Sequence, residues 1–78
     1  MNDLKIDQEL DCRGLGCPLP ILKTKKAVMA MESGQILKMT CTDSGSQKDM
    51  PSWSSRTGHP ILKTEEEGSD FIYYVQVK

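Results

Sequence analysis

Seventy-eight residues make one small domain, and a chain of this length buries only about 60–65% of the surface that its unfolded form exposes. Ten basic against eleven acidic residues leave a net charge of −1, which argues against binding nucleic acid chiefly through phosphate neutralisation. No stretch nears the roughly 18 apolar residues of a membrane span, the first residues hold no apolar signal core, and three cysteines, an odd number, do not suit a secreted disulfide scaffold. A single domain over residues 1–78, cytoplasmic and with free thiols, is the expectation.

Residues 4–11 alternate, with Leu4, Ile6, Gln8 and Leu10 on one face and Lys5, Asp7, Glu9 and Asp11 on the other, the pattern of a half-buried strand. Arg13-Gly14-Leu15-Gly16 then breaks the alternation as a tight strand-to-helix turn and delivers Cys17 to a helix start. From Pro18 to about Met31, Ile21, Thr24, Ala27, Val28 and Met31 recur at helical spacing, with Lys23, Lys25 and Lys26 on or beside the opposite face, so the helix is amphipathic. Gly34 is placed to cap it in the left-handed conformation.

A second strand is expected over residues 35–42, buried through Leu37, Met39 and Cys41. Asp43-Ser44-Gly45-Ser46 has turn chemistry. A short second helix should follow and run to about Thr57, with Met50, Trp53 and Thr57 inward; Pro51 is tolerable only near its first turn, which makes Asp49 the expected cap. Gly58 ends that helix. Residues 60–65 and 70–77 read as a hairpin around Glu66-Glu67-Gly68-Ser69. The order β-α-β-α-β-β with right-handed crossovers gives an α+β two-layer sandwich, a mixed four-stranded sheet with two helices on one face.

The most informative segment is Cys17-Pro18-Leu19-Pro20. It puts Cys17 at the helix N-cap and Pro18 at the first helical position, which needs no N–H, so the thiol sits at a rigid corner. A helix N-terminus favours a thiolate or persulfide anion, although Pro18 and Pro20 remove two donors and leave chiefly the Leu19 and Ile21 amides. The expected thiol pKa is modestly lowered, with Arg13 as a second contributor. A lone cysteine is more often core filling than a nucleophile; placement between a glycine turn and a proline-locked helix start pulls the other way.

Asp11-Cys12-Arg13-Gly14-Leu15-Gly16-Cys17-Pro18-Leu19-Pro20, then Lys25-Lys26-Ala27, Gly34, Thr42-Asp43, Asp49-Met50-Pro51 with Trp53, and Gly58-His59, resemble the TusA/SirA family of small sulfur-transfer proteins over nearly the whole chain. The resemblance implies a fold similar to the C-terminal domain of translation initiation factor three. It also implies that Cys17 takes sulfane sulfur from a cysteine desulfurase or rhodanese-like donor and relays it to a downstream acceptor protein, in routes that end in tRNA thiolation, molybdenum-cofactor synthesis or sulfur oxidation. Pro18, Pro20, Arg13, Gly14 and Gly16 would support that cysteine.

Other readings remain open at this point. Cys12 and Cys41 read as structural thiols, with a Cys12/Cys17 redox pair as the sharper alternative. Cys12, Cys17, Cys41 and His59 match no standard zinc spacing, so no metal and no cofactor is expected, and His59 reads as a rim or structural residue. Trp53, Met50 and the aromatic residues of the last strand read as packing alone. Lys23, Lys25 and Lys26 form either a solvated face or a docking rim for an acidic partner. A regulatory or RNA- or protein-binding module is the rival class; direct nucleic-acid binding and a membrane partner are not expected. With no substrate-pocket motif, the chain reads as a sulfurtransferase-type carrier rather than a complete enzyme.

Overall fold

The computed structural model describes residues 5–16 and 18–78, so the expectations for Leu4 and for the side chain of Cys17 lie outside the described residues. Six elements follow in order: β1 (Gln8–Cys12), α1 (Leu19–Met29), β2 (Ile36–Cys41), α2 (Ser46–Thr57), β3 (Ile61–Glu67) and β4 (Asp70–Gln76). The sheet order is β1-β2-β4-β3, with β1 parallel to β2 and the other pairs antiparallel. This is the expected mixed four-stranded sheet.

Alternation along β2 decides which face is covered. Leu37, Met39 and Cys41 are fully buried and share one core with Ala27 and Val28 of α1 and Met50 and Trp53 of α2, so both helices lie on that face. β1 adds Cys12 and, at its margin, Leu10 to the same core. Cys12 and Cys41 are register partners on the adjacent parallel strands, and both are free thiols at 0% exposure. Burial pushes the Cys12 thiol up from its ordinary pKa, and the neighbouring Cys41 adds to the rise, because a charge there would lose its water.

The helix boundaries differ from those read in the sequence. α1 closes at Ala30, whose amide donates to the Ala27 carbonyl, while the next amide, of Met31, donates to the Val28 carbonyl, both at 3.1 Å. Gly34 does take a left-handed φ of 89°, but its amide bonds the Val77 carbonyl at 2.8 Å, so the turn opens β2 instead of capping α1. α2 begins earlier than expected: its cap position is Gly45 and Asp49 lies inside the first turn. Asp43 organises this start, since its carboxylate accepts the Gly45 amide at 3.2 Å and its carbonyl accepts the Ser46 amide at 3.0 Å. Pro51 consequently lies within the helix, at the cost of one ladder bond, while burial of Met50 and Trp53 on either side holds the element in place.

Three packing expectations also change. Thr57 is exposed rather than inward, and its hydroxyl donates to the Trp53 carbonyl at 2.8 Å. β3 runs on to Glu67, where Glu66 and Glu67 pair with Phe71 and Asp70. The tyrosines of β4 do more than pack: the Tyr74 hydroxyl donates to the Glu65 carboxylate at 2.8 Å, and the Tyr73 hydroxyl shares a 2.7 Å hydrogen bond with the Ser46 hydroxyl. Ser46 and Tyr73 are both buried, so this bond joins the start of α2 to the sheet.

Two outcomes follow from this packing. Tyr73→Phe leaves the buried Ser46 hydroxyl without a partner and should lower stability by about 1–3 kcal/mol in denaturant titrations, with part of the loss regained when Ser46→Ala is added. In the native chain Cys12 and Cys41 should resist iodoacetamide and become reactive only in denaturant; rapid native alkylation of either would contradict their burial.

Candidate functional site

The candidate site is the corner where β1 hands over to α1. Cys12 ends the strand, and the Leu15 amide bonds back to the Cys12 carbonyl at 3.3 Å. Between them Gly14 adopts φ 80°, a conformation that a side chain would strain. Its amide donates to the Thr42 hydroxyl just beyond β2 at 2.9 Å. The loop leaving β1 is therefore fastened to the residue leaving β2.

On the far side of residue 17 the Leu19 amide donates to the Gly16 carbonyl at 2.9 Å, and the Leu22 amide to the Pro18 carbonyl at 3.1 Å. Because Pro18 offers the first carbonyl of the helical ladder, the cap position falls on Pro18 and not on residue 17, with Pro20 at the second helical position. Of the two amides expected at the helix start, that of Leu19 bonds the Gly16 carbonyl. Pro20 is buried, and its carbonyl accepts the hydroxyl of the fully buried Thr24 at 2.7 Å. That bond anchors the first turn to the core side of α1. Cys17 itself lies outside the described residues; Gly16 and Pro18, which bracket it, are both exposed.

Arg13 lies next to this loop, and its described partners are carboxylates. Its guanidinium bonds Asp11 at 3.0 and 3.2 Å and approaches Asp70 at 3.8 Å. These contacts hold the Asp11 carboxyl below the usual carboxylate range and raise Arg13. Arg13 shares with Glu9, Asp11, Lys38, Thr40 and Asp70 a polar depression on the sheet face away from the helices.

The three lysines of α1 are exposed but do not form one rim. Lys25 lines a groove between the helices with Ile21, Leu22, Met29, Trp53 and Arg56. Toward the helix start this groove continues through Ile21 and Arg56 to Pro18, Asp49 and Ser52, and so reaches the residue that follows Cys17 in the sequence. Lys23 and Lys26 lie on the other flank, against β1. Leu22 is 52% and Met29 76% exposed, large apolar side chains that the core does not use. Sequence reading passed over Leu22, Met29 and Arg56; their signal was available, because Leu22 and Met29 fall outside the Ile21, Thr24, Ala27, Val28 stripe yet share a helix face with Lys25.

His59 has a structural place. Its ring stacks on Trp53 with centroids 5.5 Å apart, its Nδ1 accepts the Lys78 amide at 2.9 Å, and its carbonyl accepts the Ser54 hydroxyl at 2.7 Å. Among the described residues, no helix is long and apolar enough to cross a membrane.

Comparison with known proteins matches this arrangement. A family model described as sulfurtransferase TusA matches residues 8–77. The chain is 44% identical over 73 residues to the putative sulfur carrier protein YrkI of Bacillus subtilis, covering 94% of this chain and 97% of that one. It is 47% identical over 70 residues to the sulfur carrier protein TusA of Allochromatium vinosum, covering 90% and 92%. In fold it is similar to the crystal structure of a SirA-like protein from Desulfitobacterium hafniense, with a TM-score of 0.77 at 18% identity, covering 88% of this chain and 95% of that chain. With the family model spanning all four strands and both helices, and these two sequence relatives matched over at least 90% of both chains, the chain belongs to the TusA family.

Proposed function

We propose that this protein carries sulfane sulfur as a persulfide on Cys17, between a donor such as a cysteine desulfurase or a rhodanese-like protein and a downstream acceptor protein. The observation that carries the reading is the contrast among the three thiols: Cys12 and Cys41 are sealed in the core, while Cys17 stands between two exposed residues in a pinned loop and a proline-locked helix start.

The chemistry is two thiol exchanges. The Cys17 thiolate attacks the terminal sulfur of the donor persulfide; an S–S bond forms at Cys17, the donor S–S bond breaks, and the donor leaves as a thiolate. An acceptor thiolate then attacks the terminal sulfur on Cys17 and displaces the Cys17 thiolate. Each step exchanges one S–S bond for another, so no external oxidant or reductant is needed, and a populated thiolate needs no general base. The Cys12/Cys17 redox reading is disfavoured, because Cys12 is packed in the core at 0% exposure.

Leu22 and Met29, flanked by the cations Lys25 and Arg56, suit a partner that offers apolar contact with acidic residues around it. Of the three lysines, Lys25 is thus the one placed to serve this groove. Incubation with a cysteine desulfurase and cysteine should add one sulfur atom to the wild-type chain by intact-mass measurement and none to Cys17→Ser. Leu22→Asp combined with Lys25→Glu should keep its melting temperature and load about tenfold more slowly. Equal loading of Cys17→Ser would overturn the proposal.

A further inference from the structure

The sheet has two edges, and they are unlike. β3 forms one, with a register shift between Ile61 and Lys63 and the run Glu65, Glu66 and Glu67, devices that discourage the addition of another strand. β1 forms the other. It pairs with β2 in unbroken register from Gln8 to Cys12, and among the described residues no strand lies on its far side. Among the described residues, no backbone partner occupies that far side, so its groups can pair with an added strand.

A groove runs beside this edge between β1 and α1. Leu10, Ala27 and Ala30 give it an apolar lining, and the exposed Lys23 and Lys26 flank it. The two lysines are three helical residues apart, about 4.5 Å along the axis, while neighbouring residues on one face of a strand lie about 6.6 Å apart. Flexible lysine stems cover that difference. On the other face of β1, Glu9 and Asp11 border the polar depression of the open sheet side. An added strand would therefore meet cations toward α1 and, on its opposite face, Glu9 beside an Asp11 whose carboxylate Arg13 already holds.

We propose that the free edge of β1 is a strand-addition site for an extended segment of a partner protein, with apolar and acidic side chains toward α1 and neutral or basic ones on the other face. Backbone pairing supplies affinity, and the alternating charge sets register. A second copy of this chain fits poorly, because antiparallel pairing of two β1 edges would bring Glu9 of both copies together on one face and Lys23 and Lys26 of both together on the other. The site uses no thiol chemistry and stands apart from the sulfur-carrier reading.

The probe is a heptapeptide of Thr, Val, Thr, Glu, Thr, Glu and Thr, capped at both ends and titrated into the isotope-labelled full chain by NMR. The largest amide shifts and the slowed hydrogen exchange should fall on Gln8 to Cys12, with shifts at Lys23 and Lys26. Lys23→Glu with Lys26→Glu, both at exposed positions, should weaken binding about tenfold at low salt. N-methylating alternate peptide amides should abolish binding for one of the two alternating sets, because only one set faces β1. Absence of shifts at millimolar peptide, undiminished binding of both methylated peptides, or shifts confined to the groove between α1 and α2 would overturn the proposal.

Discussion

The architecture of the corner depends on one hydrogen bond between neighbouring loops, from the Gly14 amide to the Thr42 hydroxyl. β1 and β2 run parallel and end side by side at Cys12 and Cys41, so their outgoing chains diverge toward two different helices. The Gly14 to Thr42 bond keeps the two exits together for two residues longer. The first can then turn back through Gly16 into Pro18, while the second passes through the Asp43 turn into α2. Both helix starts thereby sit at the same end of the sheet, which lets Pro18 and Ile21 of one helix meet Asp49 and Arg56 of the other.

Rigidity at this corner comes from both sides of residue 17. Behind it, Gly14 and the Leu15 to Cys12 bond shape the loop; ahead of it, Pro20 is buried and tied to Thr24. In the proposed transfer, a frame held on both sides would limit the conformational freedom lost when a partner's sulfur approaches. The same fold removes the competing thiols. Cys12 and Cys41 are withheld by burial, with the raised Cys12 pKa as its electrostatic counterpart.

Much of the fold was legible in the sequence because local signals agreed with one another. The 2-residue alternation of Leu37, Met39 and Cys41, the 3.6-residue stripe of α1, and Gly58 at φ 85° as a helix cap each pointed to the element that is present. The start of α2 departs from the sequence expectation because Pro51 suggests a first turn, whereas Asp43, two positions before the cap, organises it. Ser46 and Tyr73 lie 27 residues apart, and no local pattern announces a pair formed by tertiary packing. At the site, the division of Lys25 from Lys23 and Lys26 was hidden for the same reason. Helical spacing places side chains around an axis, but only the neighbours, α2 on one flank and β1 on the other, decide what each flank can bind.

The central claim is that one of three thiols carries the sulfur, and trypsin separates them: cleavage after Arg13, Lys23 and Lys38 places Cys12, Cys17 and Cys41 on different peptides. The most direct measurement is peptide mapping of the loaded wild-type chain after trapping with an alkylating reagent. The extra sulfur should appear on the peptide of residues 14–23 and leave the other two peptides unmodified. Extra sulfur on the Cys12 or Cys41 peptide, with residues 14–23 unmodified, would contradict it.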